Sequence, residues 1–146
     1  LVLTTFHAGS DGEAVSRLLD MGLEPYQLRS GILAVISQRL VRRLCACAVV
    51  DGSPAARLGL DVPQVRTPVG CAQCRQTGYR DRTVLAEMLV PSASEMRRAI
   101  LSRSNAQEIE RLAIEAGMVS RWQRACAAVV SGLTSPEEVR RVLGFR

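Results

Sequence analysis

The chain of 146 residues contains no lysine; all 19 of its basic side chains are arginine. A phosphate-binding loop of the form G-x-x-x-x-G-K-[ST] is therefore excluded, as is Schiff-base lysine chemistry. Aromatic residues make up only 3% of the chain, and His7 is the single histidine. One histidine without an arranged nucleophile and acid makes no Ser-His-Asp triad, and few rings are present to stack on nucleic-acid bases. No run of about 18 apolar residues occurs, which excludes a membrane-spanning helix. No basic, hydrophobic, small-residue leader is visible. The opening Leu1-Val2-Leu3 reads as the middle of something larger.

What is present is the complement of a folded protein. The chain is 47% hydrophobic with a net charge of +5, enough for one average domain or two very small ones. The five cysteines fall into two pairs, Cys45/Cys47 and Cys71/Cys74, with Cys126 apart. A secreted disulfide scaffold is normally smaller and more evenly laced with cysteine. Cys126 lies in the apolar stretch 125–130 and reads as a buried small hydrophobe.

Local signals punctuate the chain. Residues 1–6 read as a buried strand. Ser10-Asp11-Gly12-Glu13 has capping-box form and announces a helix that stops near Met21-Gly22. Pro25 suits the first turn of a second helix, and Leu28, Ile32, Val35, Ile36, Leu40 and Leu44 continue a helical period to the first cysteine. Residues 46–70 sustain no period and read as an irregular insert. Residues 83–90 read as a strand returning from it. Four short helices follow, signalled by Ser92-x-x-Glu95, Ser104-x-x-Gln107 and Ser135-Pro136-Glu137-Glu138, with stops at Gly117 and Gly132.

Cys71-Ala72-Gln73-Cys74 is a C-x-x-C pair whose thiolates can take adjacent vertices of a tetrahedron around zinc. Cys45-Ala46-Cys47 is a tighter C-x-C. Four sulfurs separated by a long loop that a metal closes would hold a segment too short for its own core; the other reading is four free thiols. A redox dithiol lacks the expected βαβ context. His7 follows the expected strand and precedes a helix N-terminus, the place where open α/β sheets bind ligands. The alternative is a surface or core histidine. Arg39, Arg42 and Arg43 form one arginine group and Arg75, Arg80 and Arg82 another. They suit phosphate recognition or a solvated face. Glu87 reads as structural.

Taken in order, these residues carry a resemblance. Leu-Thr-Thr-Phe-His-Ala at 3–8 is followed by Ser-Arg-Leu-Leu-Asp-Met-Gly at 16–22 and Gln-Arg-Leu-Val-Arg-Arg-Leu-Cys at 38–45. Then come Gly-Cys-x-x-Cys-x-x-Thr-Gly-Tyr at 70–79, Glu87-Met88-Leu89, Ala-Gly-Met at 116–118 and Gly-x-Thr-Ser-x-Glu-Glu-Val at 132–139. Nearly the whole chain resembles the C-terminal part of the type II secretion ATPases, the general secretion pathway protein E family, and the type IV pilus assembly ATPases share the pattern.

The resemblance implies an α/β fold: the C-terminal part of a P-loop RecA-like core at 1–44, a cysteine-rich metal-binding insert at 45–82, a strand returning to the core at 83–91 and a small all-helical C-terminal domain at 92–146. It implies a homo-hexamer on the cytoplasmic side of the inner membrane. There, hydrolysis of ATP with Mg²⁺ drives pseudopilus or pilus assembly and protein export, in contact with inner-membrane platform proteins. Of the nucleotide machinery only the histidine box is matched. His7 is its candidate catalytic group, beside the γ-phosphate as a sensor or orienting group, with Thr5 and Arg39 as candidate nucleotide contacts. Without the other motifs this chain is expected to be inactive alone. The family's zinc element matches Cys45, Cys71 and Cys74, whereas its second cysteine falls at Ala48 and Cys47 is one residue early. No nucleic-acid partner is expected on this reading. The alternative is a zinc-stabilised basic module that binds nucleic acid or acidic protein partners, whose binding to nucleic acid would be salt-sensitive.

Overall fold

A computed structural model describes residues 1–145. The architecture is mixed α/β. Helices α1 (Asp11–Asp20) and α2 (Pro25–Gly31) precede strand β1 (Val35–Leu44), then β2 (Val49–Asp51), β3 (Val65–Thr67) and β4 (Tyr79–Leu89). Helices α3 (Ser94–Leu101), α4 (Ala106–Glu115), α5 (Arg121–Val130) and α6 (Pro136–Leu143) complete the chain. β1 pairs with β4, and β2 pairs antiparallel with β3 in the register Val49–Thr67, Val50–Arg66, Asp51–Val65.

The caps follow local chemistry. Ser10 Oγ accepts from the Glu13 N–H at 3.2 Å, and Ser135 Oγ accepts from the Glu138 N–H at 3.2 Å. Each satisfies a donor that the first helical turn leaves open. Gly22, Gly117 and Gly132, the expected stops, all have positive φ. The other two expected caps are displaced. α3 begins at Ser94 with Ala93 as its N-cap, and α4 is capped by Asn105, whose side chain accepts from the Glu108 N–H at 2.9 Å.

Three expectations are corrected. Residues 1–6 form no strand and are exposed; an extended segment becomes a strand only when its backbone groups pair, and no strand among the described residues pairs them. The helical period from Leu28 to Leu44 breaks after α2. Val35, Ser37, Arg39 and Val41 point inward in alternation, and β-branched residues favour the resulting strand. Arg39, Arg42 and Arg43 therefore lie on β1 and not along a helix. The insert is also more regular than its sequence suggests, since it contains the β2–β3 pair.

The chain divides into two compact units, residues 1–37 with 87–120, and residues 38–86 with 121–146. The first has its own core of Val15, Leu19, Leu28, Leu89, Met96, Ile100 and Ile109. Within it, α1 crosses α4 closely at Gly12, where a Cβ would sit 2.4 Å from the Ala106 carbonyl oxygen. In the second unit, Val41 and Leu85 meet the insert's Leu60, Val62 and Val65 and the helical Ala125, Val129 and Val139. The partly buried Cys126 packs against this core, as its apolar context suggests.

One buried acid organises the second unit. Glu138 is completely buried at the start of α6. Its Oε1 accepts the Arg42 backbone N–H at 2.8 Å and its Oε2 accepts Arg42 Nε at 2.8 Å. Arg141 donates through Nε and Nη2 at 2.7 and 2.6 Å. Burial works against the Glu138 carboxylate, but the hydrogen bonds from Arg141 and Arg42 outweigh it and bring its pKa to about 2. Thr134 Oγ1 also donates to the Arg42 carbonyl oxygen at 2.8 Å. Together these bonds hold the α6 N-terminus on β1.

Glu138→Ala removes the acceptor of the Arg42 N–H and leaves two partly exposed guanidinium groups without their carboxylate, and urea unfolding should show a loss of about 1–3 kcal/mol. Because the folded pKa lies below the ordinary value of 4.5, the wild-type contribution is complete above that pH. It should fade as pH falls towards about 2, and the variant should lack that acid-dependent component.

Candidate metal centre

Two short turns bring the cysteine pairs together. The first follows β1. The Ala48 N–H donates to the Cys45 carbonyl oxygen at 3.0 Å and closes the turn through Ala46 and Cys47. The second is a single 3-10 turn, Ala72–Cys74, with Cys71 at its N-cap and Arg75 and Gln76 in the left-handed region. The Gln76 N–H donates to the Cys71 carbonyl oxygen at 2.9 Å, and Thr77 Oγ1 donates to the Cys74 carbonyl oxygen at 2.6 Å. Gly78 is required by its surroundings: its φ is +75° and a Cβ there would sit 2.4 Å from Pro68 Cβ. The two turns are tied at their base by the Cys45 N–H, which donates to the Gly78 carbonyl oxygen at 2.9 Å.

The four sulfurs of Cys45, Cys47, Cys71 and Cys74 all lie within 4.8 Å of one another. Cys45–Cys71 and Cys47–Cys74 are each 3.9 Å apart and Cys71–Cys74 is 3.7 Å apart, Sγ to Sγ. A tetrahedron with zinc–sulfur bonds of about 2.3 Å has edges of about 3.8 Å, so this donor set fits a zinc-like ion. Position 48 holds the buried Ala48, and Cys47 supplies the fourth sulfur from one residue earlier.

The electrostatics suit thiolate ligands. Burial opposes the Cys74 thiolate, but the N–H groups of Cys71 and Gly78, 3.1 and 3.2 Å from its Sγ, and the neighbouring Cys71 and Cys47 sulfurs lower its pKa to about 6. For Cys47 the Gly70 N–H favours the thiolate, yet burial and the sulfurs of Cys45, Cys71 and Cys74 push it up to about 11. Adjacent thiols resist common ionisation. A dication removes that penalty, so metal uptake displaces protons and strengthens as pH rises.

The other candidate residues lie elsewhere. His7 and Thr5 belong to the first compact unit and are exposed. The His7 carbonyl oxygen accepts from Arg17 Nη1, and the Gly9 N–H donates to Glu13 Oε2 at 2.7 Å, so α1 holds the backbone on either side of Ala8. Arg39 belongs to the second unit, half-buried on β1, and its Nη1 donates to the Gln38 carbonyl oxygen at 3.0 Å. Of the seven candidate site residues the structure gathers only the cysteines.

Sequence reasoning missed the neighbours that steady this centre. Tyr79, next to Gly78, hydrogen-bonds Ser135 Oγ through its hydroxyl at 2.6 Å, and the Arg42 guanidinium stacks 4.0 Å from its ring centroid. Burial raises the Tyr79 pKa. A tyrosine next to the site, in a chain with two tyrosines in all, was the available signal.

Fold and site define a mixed α/β protein built around a four-sulfur centre of the kind that takes zinc. The chain belongs to the type II/IV secretion system protein family, whose model matches residues 1–141. It is 41% identical to the type II secretion system protein E of Aeromonas hydrophila over 97% of this chain and 29% of the relative. It is 42% identical to that of Pseudomonas aeruginosa over the same shares. Against the type IV pilus assembly ATPase PilB of Thermus thermophilus it is 34% identical, over 95% of this chain and 16% of the relative. The chain thus spans less than a third of the length of these relatives. Their names do not favour a nucleic-acid-binding module.

Native mass spectrometry of the chain prepared without chelator should find one zinc per chain. Cys74→Ser and Cys47→Ser should each lose it, and Cys126→Ser should keep it. Full zinc retention by Cys47→Ser would remove that residue from the ligand set.

Proposed function

We propose that this chain is the C-terminal part of a secretion ATPase that couples ATP hydrolysis to pseudopilus assembly and protein export by type II secretion. The observation that carries this reading is the family match over residues 1–141, joined to relatives named as type II secretion system protein E and as a pilus assembly ATPase. In this reading residues 1–44 and 83–91 belong to a RecA-like nucleotide-binding core. Residues 45–82 form the metal-holding insert, and 92–146 form a helical domain.

His7 sits beside the γ-phosphate of ATP in the assembled site, senses or orients it, and is supported by Thr5. Arg39 contacts nucleotide or a neighbouring subunit. The intact protein works as a homo-hexamer at the cytoplasmic face of the inner membrane, against membrane-embedded platform proteins. Attachment to the membrane is peripheral in this reading; among the described residues no helix is long and apolar enough to cross a membrane. Zinc on the four cysteines supplies no chemistry to ATP; it fixes the root of the insert. Phosphoryl transfer requires groups that cradle the phosphates and hold Mg²⁺. The chain has no lysine to serve a Walker A loop, so it does not turn over ATP by itself.

In the full-length protein carrying this chain, His7→Ala should lower ATP turnover about a hundredfold, the scale for losing one positioned polar group, with zinc content unchanged. Turnover equal to wild type would contradict the role given to His7. The 146-residue chain alone should hydrolyse no ATP above background.

A further inference from the structure

We propose that the second unit carries an oxyanion site at the insert end of β4, gripped by Arg80 and Arg82 and suited to a phosphate-bearing anion. An open cavity of about 620 Å³ is lined there by Arg42, Thr77, Tyr79, Arg80, Asp81 and Arg82. Three guanidinium groups face a single lining carboxylate.

The backbone explains why three successive residues line one cavity. A regular strand alternates its side chains between two faces. In β4 the odd positions Tyr79, Leu85, Glu87 and Leu89 are buried, and Asp81 should join them. Asp81 is exposed instead, with φ of +66°. A left-handed residue within a strand interrupts the regular pleat locally, although the odd positions are buried again from Leu85 onward. It is uncommon outside glycine, although Asp tolerates it better than most. Such local strain clusters at binding sites. Here it presents Arg80, Asp81 and Arg82 together.

The charges do not cancel. Neither Arg80 nor Arg82 has a carboxylate partner among the described residues, and both are exposed. Arg42 forms a fixed wall, because Glu138 holds it at 2.6 Å and Tyr79 stacks beneath it. Glu138 is shared with Arg141, so the one buried carboxylate serves two cations. Arginine presents planar paired donors that match phosphate oxygens and keeps its charge at any physiological pH. Asp81 opposes the anion at close range and sets the affinity below what the arginines alone would give.

The test is calorimetric titration of the zinc-loaded 146-residue chain with inorganic pyrophosphate at low salt. One saturable site is expected. The variant Arg80→Gln/Arg82→Gln should weaken binding at least tenfold while keeping its zinc and its circular dichroism spectrum; the single Arg82→Gln change should weaken it less. Asp81→Gly, which keeps the left-handed conformation without a Cβ and deletes the charge, should tighten binding severalfold. Arg98→Gln, in the other unit, should leave it unchanged. A parallel titration with ATP should bind no tighter than pyrophosphate if the phosphates alone are recognised. The proposal is overturned by absent saturation, by equal weakening in Arg98→Gln, by indifference to the Arg80/Arg82 changes, or by ATP binding without pyrophosphate binding.

Discussion

The convergence of four sulfurs on one point is the constraint on which the second unit depends. Cys45 directly follows β1 and Cys71–Cys74 leads into β4, so the centre clamps the two strands of one ribbon where the insert leaves and returns. The bond from the Cys45 N–H to the Gly78 carbonyl oxygen, at 2.9 Å, reinforces that clamp. The intervening segment contributes only a few apolar side chains, Leu60, Val62 and Val65 among them, to a core it shares with α5 and α6. A segment with so little core of its own gains order when a metal closes its loop.

From this clamp a chain of polar contacts runs to the C-terminal helix. Gly78 donates its N–H to Cys74 Sγ, and Tyr79 hydrogen-bonds the Ser135 cap. Arg42 stacks on Tyr79 and pairs with Glu138. Three adjoining features, the four-sulfur cluster, the α6 cap and the buried acid, are therefore linked through Gly78, Tyr79 and Arg42. Disturbing any one displaces groups that hold the next. Taking the arginines away is the costly change, because Glu138 left alone is an uncompensated buried charge, whereas Arg42 and Arg141 are partly open to solvent. The same arrangement leaves an excess of positive charge at the insert end of β4, next to the left-handed Asp81.

Much of this was legible in the sequence wherever the cause is local. Ser10, Ser135, Gly22 and Gly132 mark helix ends through bonds spanning a few residues, and each does so in the structure. The pairing of Cys71 with Cys74 is equally local. Residues 35–44 read as helix in the sequence, because Leu28, Ile32, Val35 and Ile36 fit a helical period as well as a strand. Tertiary pairing with β4 settles the choice in favour of the strand. Residues 1–6 have a strand's composition but gain no partner. Glu138 reads locally as a capping residue, yet its main partner Arg42 lies 96 residues away in sequence, a distance that no spacing rule reaches. The four-sulfur centre was half legible: the residue types pointed to metal, but whether Cys47 reaches the centre depends on the turn at Ala46 and on the burial of Ala48.

The spacing of these four sulfurs suits one ion held in a single all-sulfur site. X-ray absorption at the zinc edge, recorded on the chain as purified, measures this most directly. One shell of four sulfurs at about 2.3 Å is expected. A shell with three sulfurs and a nitrogen or oxygen, or no bound metal in a folded chain, would contradict it.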